Sequence, residues 1–305
     1  MNATLRAWID LLRLRFFFAW PLLFCSGYLL ATETYGGFSW LVLGKVALIG
    51  FLGFEAGLVL NDYIDREFDR KDTDSGRLTK YWRSYGTRPI PAGLISPLLA
   101  AGLFIGLATL TAGLVLTLPY PNSVIVLALM LFCYTIECFY QEEKRQQKHP
   151  FAQLIGRLDF ALFPVAGYLC TGKPDMPAFL FFIFFYPFAL AHLGANDLID
   201  IENDRARDMK TIPILFSQGG TAYWIAGFTA VHIVAACFFM ARLGWIARAG
   251  IIAGLILMVY ASAVILKHRE EGTLPDTTLR VLPCFHVAMV FYATGIALGA
   301  LAAIV

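Results

Sequence analysis

Nine apolar stretches of about bilayer-spanning length recur along the chain, at 16–33, 40–60, 98–118, 122–140, 151–170, 176–196, 221–241, 244–267 and 281–304. In lipid every backbone N–H and C=O must find its partner within the protein, and an α-helix achieves this segment by segment. The expected fold is an all-α integral membrane protein, with one membrane-embedded domain over residues 1–305 and nine transmembrane helices. Composition agrees: 58% of residues are hydrophobic and 15% charged, where soluble domains carry roughly a quarter charged residues. The basic segment Met1–Arg15 before the first apolar run resembles a signal peptide. No small-residue cleavage site follows it, so the run is read as a retained helix. The six cysteines (Cys25, Cys133, Cys138, Cys170, Cys237 and Cys284) form no C-x-x-C pair and are expected to be buried, inert thiols.

The formal net charge of +2 says little, whereas the placement of the charges says much. Arg6, Arg13 and Arg15 precede the first helix, and a second group runs from Arg66 to Arg88. Lys144, Arg145 and Lys148 follow the fourth helix, Arg205, Arg207 and Lys210 the sixth, and Lys267, Arg269 and Arg280 the eighth. With nine helices all five groups share one side, opposite loops that hold little beyond Lys173, Arg242 and Arg248. The positive-inside bias then places the N-terminus and the long loops in the cytoplasm and the C-terminus outside. The expected location is the plasma membrane of a prokaryote, with no nucleic-acid partner.

Where the second apolar stretch ends, the sequence reads Asn61-Asp-Tyr-Ile-Asp65-Arg-Glu-Phe-Asp69-Arg70, and at the end of the sixth it reads Asn196-Asp-Leu-Ile-Asp200-Ile-Glu-Asn-Asp204-Arg205. The two stretches agree at seven of ten positions, as a duplicated functional element would. Asp62, Asp65 and Asp69, like Asp197, Asp200 and Asp204, are spaced i, i+3 and i+7, which groups them on one side of a helix. Three carboxylates so grouped repel one another, and at a helix C-terminus the macrodipole adds to the cost. Divalent cations would offset it. Mg²⁺ takes oxygen ligands and is commonly shared between carboxylates and substrate phosphates.

These motifs resemble those of the UbiA-type superfamily of intramembrane prenyltransferases. The first matches the pattern N-D-x-x-D-x-x-x-D and the second D-x-x-D-x-x-x-D, followed by Lys210-Thr-Ile-Pro-Ile-Leu-Phe216. Between them, Arg88-Pro-Ile-Pro-Ala-Gly93-Leu-Ile-Ser96 and Tyr140-Gln-Glu-Glu-Lys144-Arg145 resemble two further stretches of that superfamily. The resemblance implies nine helices around a central cavity and Mg²⁺-dependent transfer of a prenyl group from an isoprenoid diphosphate to a lipophilic acceptor. An aromatic quinone precursor, such as a hydroxybenzoate or naphthoate, is the first expectation for that acceptor and a glycerol-phosphate lipid the second. The stretch between Asp69 and Arg88 is longer than in the quinone-forming members, and is either a cap over the site or a solvated loop. Asp208 stands where several relatives have glycine, with no role assigned.

On this reading two Mg²⁺ ions lie between the motifs, one held by Asn61, Asp65 and Asp69 and the other by Asp200 and Asp204, with Asp62 and Asp197 ligating directly or through water. Lys144, Arg145, Lys210 and Arg88 are the candidates for binding the diphosphate. Among ionisable residues inside the apolar stretches, Glu55, Glu137, Arg157, Asp159 and His192 are candidates for contact with the acceptor or for proton transfer. A hydrogen-bonded structural role is the equal alternative for each. Gly50, Gly53 and Gly57 either allow close helix packing, the favoured role, or leave room for a chain. The competing class is a divalent-cation transporter, which would place its carboxylates near the membrane midplane rather than beside basic loops.

Overall fold

The computed structural model describes residues 2–74 and 76–304, so Met1, Ser75 and Val305 lie outside it. The described residues form helices joined by turns, with no strand among them. A short helix α1 (Ala3–Leu11) leads into α2 (Ala19–Tyr35) and the long α3 (Trp40–Asp69). One turn of helix, α4 (Leu78–Trp82), then precedes α5 (Pro97–Leu116) and α6 (Asn122–Glu143). The second half holds α7 (Phe151–Gly156), α8 (Leu158–Tyr168), α9 (Met176–Ile199), α10 (Ile201–Ala206), α11 (Ile212–Met240), α12 (Trp245–Lys267) and α13 (Leu274–Ile304).

Seven of these, α3, α5, α6, α9, α11, α12 and α13, are long and apolar enough to cross a bilayer. The chain is thus a multi-pass integral membrane protein. The two other expected spans are shorter as helices. The stretch 16–33 gives the 17-residue α2, and 151–170 divides into α7 and α8 at Arg157. The expected nine is therefore seven by length and composition, plus these two.

Local chemistry explains the helix starts. Ser96 caps α5 by accepting the Leu99 amide at 3.3 Å, with Pro97 in the first turn. Asp175 caps α9 through the Ala178 amide at 2.9 Å. Helix α2 sits in the middle of the bundle, against α3, α8 and α13. Gly27 and Gly167 make its contact with α8 possible. A Cβ on Gly167 would stand 1.9 Å from the Phe24 carbonyl, and one on Gly27 would stand 2.0 Å from that of Pro164. Gly50 has the same role, since its Cβ would lie 2.5 Å from Phe24 Cβ. Gly53 also packs closely, since a Cβ there would fall 3.3 Å from Thr111 of α5, whereas Gly57 departs from this role: its Cβ would meet nothing nearer than Tyr134 at 3.9 Å, and it lines a cavity.

The cysteine expectation needs correction at four positions, Cys133 and Cys284 being only half-buried. Cys25 and Cys170 are buried, but Cys138 and Cys237 are exposed on the outside of the bundle. In a membrane helix that surface meets lipid, so an apolar neighbourhood in sequence did not mean burial in protein.

Candidate active site

The first motif ends α3 as continuous helix. The second is broken: α9 stops at Ile199, Asp200 adopts φ −91° and ψ 10°, and α10 resumes at Ile201. Both open onto one cavity of about 210 Å³, whose walls include Asn61, Asp65, Asp197, Asp200 and Asp204. Aromatic rings of Trp20, Phe54, Trp82, Tyr140, Phe160 and Phe188 line the same space.

The first motif is saturated with cations. Asp62 is buried, chelated by Arg83 at 2.7 and 2.8 Å and bound by Arg13 at 2.7 Å. Asp62 itself does not line the cavity, but Arg13 and Arg83, which it holds, do. Asp65 pairs with Lys144 at 2.7 Å and Arg145 at 3.5 Å. Asp69 pairs with Arg88 at 2.7 Å and Arg207 at 3.2 Å. Burial draws the Arg83 guanidinium down to about 10, and the Asp62 carboxylate opposes the shift, so Arg83 is charged at neutral pH.

The second motif is left largely uncompensated. Asp200 meets Arg207 and Arg88 only at 3.8 and 3.9 Å. Asp197 accepts only the Ile212 amide at 3.4 Å, and Asp204 the Thr211 hydroxyl at 2.7 Å. Burial, and then the charges of Asp200 and Asp197, push the Asp204 carboxyl well above the usual carboxylate range. A cation placed among these oxygens would reverse that shift.

Among the described residues no three carboxylates yet converge on one point, because basic side chains stand between them. The donor set nevertheless fits a hard divalent cation: Asn61, with its amide oxygen, and the acids Asp65, Asp197, Asp200 and Asp204 line the same cavity. Such an ion needs only one or two carboxylates where substrate phosphates complete its shell. Glu137 orients Asn61 by accepting from its Nδ2 at 2.7 Å, and the amide oxygen Oδ1 accepts from Arg13 at 3.4 Å.

The stretch between Asp69 and Arg88 forms a cap. Its helix α4 places Leu78, Thr79, Trp82 and Arg83 against the cavity. Asn203 clasps it from the second motif: its Oδ1 accepts the Thr73 and Asp74 amides at 3.1 and 2.8 Å, and its Nδ2 donates to the Asp74 carbonyl at 2.7 Å. Arg77 adds a tie to Asp276 at 2.8 Å.

The other expected residues divide by position. Lys144, Arg88 and His192 line the cavity; Arg145 touches Asp65 from its edge; Glu137 and Asp159 line an adjoining chamber. Lys210 departs from its expected place, since its side chain points outward to the exposed Asp208. Glu55 is buried with neither carboxylate oxygen hydrogen-bonded, and it lines neither space. Sequence reasoning missed Arg13, Arg83 and Arg207 as site residues, although their charges were plain. It also missed His286, which joins His192 at 3.0 Å and Tyr81 at 2.7 Å with no local motif around it.

A polytopic helical protein with two acidic motifs and a basic cap around one buried cavity is a membrane-embedded enzyme of diphosphate chemistry in its general plan. The sequence profile of the UbiA prenyltransferase family matches residues 18–276, and the chain belongs to that family. It is similar to the digeranylgeranylglyceryl phosphate synthase of Pyrococcus abyssi, 27% identical over 78% of this chain and 80% of the relative. It is likewise similar to the 4-hydroxybenzoate octaprenyltransferase of Alkalilimnicola ehrlichii, 27% identical over 74% of each. In fold it resembles a digeranylgeranylglyceryl phosphate synthase (TM-score 0.69, 19% identity, 99% of this chain and 100% of that one). It also resembles a UbiA homologue of Archaeoglobus fulgidus bound to DMAPP and Mg²⁺ (TM-score 0.67, 15% identity, 95% and 98%).

Proposed function

We propose that this prenyltransferase takes an isoprenoid diphosphate with Mg²⁺ and transfers its prenyl group to a lipophilic aromatic acid of the quinone-precursor type. The observation that carries the reading is the uncompensated second motif, Asp197 and Asp204, facing a cation-rich first motif across one cavity. When bound there, Mg²⁺ would supply Lewis-acid neutralisation of the diphosphate as a leaving group. Asn61, Asp65, Asp69, Asp197, Asp200 and Asp204 are the proposed ligands. Asp62 is assigned instead to holding Arg13 and Arg83.

Arg88, Lys144 and Arg207 then serve as the diphosphate clamp, exchanging carboxylate partners for phosphate oxygens. As the C1–O bond breaks, the electron pair leaves with the diphosphate and positive charge develops on the allyl group. Phe160 and Phe188 line the same cavity and are the rings offered to that charge, whereas the Tyr140 ring already carries Arg157 and Lys144. The acceptor carbon supplies the electrons of the new bond and then loses its proton. Relatives named as ether-lipid synthases support a second reading, with a glycerol-phosphate lipid as acceptor. The basic loops favour a cytoplasmic site by the positive-inside rule, and this reading sets the enzyme in a prokaryotic plasma membrane as one domain over residues 1–305.

The test is transfer from labelled geranylgeranyl diphosphate, by purified protein in lipid, to 4-hydroxybenzoate, 1,4-dihydroxy-2-naphthoate or geranylgeranylglyceryl phosphate offered separately. Product with an aromatic acid, lost on chelation of Mg²⁺ and in the Asp65→Asn/Asp200→Asn variant, is the expected result. Undiminished turnover without divalent cation would overturn it.

A further inference from the structure

Three side chains from three elements meet beside the main cavity. His192 of α9 and His286 of α13 join through their Nε2 atoms at 3.0 Å, and His286 Nδ1 meets the Tyr81 hydroxyl of the cap helix α4 at 2.7 Å. Both histidines line the cavity. The cap holds the pair from a second side. The Trp82 indole donates to Asn196 Oδ1 at 3.3 Å, which turns Asn196 Nδ2 toward the His192 carbonyl, 3.0 Å away. That Nδ2 stands 3.4 Å from His192 Nδ1, and among the described residues no other group engages this nitrogen. His232 on α11 shows the contrasting, structural kind of histidine. It is buried, lines neither the main cavity nor the adjoining chamber, and has both ring nitrogens bound, to the Phe184 carbonyl at 2.8 Å and the Tyr292 hydroxyl at 3.0 Å.

We infer that His192 is the base that takes the ring proton of the aromatic acceptor, and that His286 and Tyr81 are the residues that position it. The inference rests on the prenyl-transfer reading. Every acid lining the main cavity, Asp65, Asp197, Asp200 and Asp204, is a proposed metal ligand, and the lysine and arginines there are cationic. The two imidazoles are the remaining groups suited to receiving a proton. The His192 ring also stands 6.3 and 6.2 Å, centre to centre, from Phe160 and Phe188, the rings offered to the allylic charge. Once the new carbon–carbon bond has formed, the C–H electron pair restores the aromatic ring and the proton passes to His192 Nδ1. The imidazolium Nε2–H donates to the His286 Nε2 lone pair, and His286 Nδ1–H donates to the Tyr81 oxygen. A base oriented by a further group in this way is held in its working tautomer. Burial pushes the Tyr81 hydroxyl up to about 12, so it stays neutral and brings no second charge to the pair. The proton leaves Nδ1 with the departing diphosphate. Because Tyr81 and Trp82 ride on α4, the base is set only when the cap is seated.

The experiment uses the full chain in lipid nanodiscs with Mg²⁺. Geranylgeranyl diphosphate labelled with heavy oxygen in its C1–O bond reports donor ionisation, through exchange of the label into non-bridging positions. 4-Hydroxybenzoate deuterated at both positions ortho to its hydroxyl reports proton loss, through the isotope effect on transfer. His192→Gln should lower kcat by about 10²- to 10⁴-fold, the scale of general-base catalysis, keep the label exchange, and raise the isotope effect above that of the wild type. His286→Leu should show the same signature more weakly. His286→Gln, whose carboxamide oxygen can accept the His192 Nε2–H, should recover part of the loss. Tyr81→Phe should cost about 2- to 10-fold, the worth of one hydrogen bond. Unchanged kcat in His192→Gln, or equal loss of exchange and transfer, would overturn the assignment. So would an isotope effect that rises in Asp159→Asn or Glu137→Gln, the acids of the adjoining chamber, and not in His192→Gln. A wild type that exchanges the label but does not prenylate 4-hydroxybenzoate would overturn the base and leave the donor reading standing. No donor binding, exchange or transfer in the wild type would defeat the transfer reading itself.

Discussion

The two acidic motifs share seven of ten residues and differ in almost everything around them. The first rides an unbroken helix, and each of its aspartates has at least one basic partner within 2.7 Å. The second is split at Asp200, and two of its aspartates have no cation within 4.0 Å among the described residues. The same letters thus do different work. In the first, carboxylates organise the basic side chains that will meet an anion. In the second, carboxylates keep a charge deficit that a metal would fill. The pair Asp62 and Asp197 makes the contrast sharpest, because they occupy equivalent positions.

The largest expected effect separates that pair. Asp62→Ala strands Arg83 and Arg13 without their carboxylate, and breaking a buried pair from one side costs about 3–5 kcal/mol. Thermal unfolding in detergent should show it, whereas Asp197→Ala should keep its midpoint and lose transfer. Equal midpoints would erase the contrast. Next, Asp204→Asn removes an uncompensated donor and should lower kcat by about 10²- to 10³-fold, a scale typical of losing one transition-state electrostatic partner. Raising Mg²⁺ should restore part of it. Smaller still, Asn203→Ala unfastens the cap from the second motif, costing about 1–3 kcal/mol locally. Faster proteolysis between residues 71 and 77, with a raised donor KM, is the readout. The smallest effect belongs to Asp208, which is exposed and left-handed at φ 57°. Asp208→Gly relieves that conformation and should leave transfer unchanged.

Much of this was legible in the sequence because it is local. Spacing alone grouped Asp62, Asp65 and Asp69, and apolar runs alone marked the long helices. What was not legible depends on direction or on distant partners. Asp62 lies within the motif's acidic arc yet turns toward Arg83, a residue known beforehand only as one charge in a polar loop. The break at Asp200 has no proline or glycine to announce it; it follows from the turn that carries the chain into α10. Lys210 was placed in the site by its motif, but the left-handed Asp208 beside it draws the ammonium outward. His286 meets His192 from 94 residues away, and no local pattern could have found it.

The clasp of Asn203 on the cap has a consequence for biosynthesis. Asn203 follows Asp74 by 129 residues, so at ribosomal rates of about 5–20 residues per second it emerges roughly 6 to 26 s later. Through that interval the first motif is in the membrane with its cap unfastened and no second motif opposite. A nascent or truncated chain therefore carries half of the charge pattern but cannot enclose a diphosphate. The charge pattern waits on α9 and the turn that follows it, and the cavity wall on α13 with His286 and Met289, so the site is complete only late in translation.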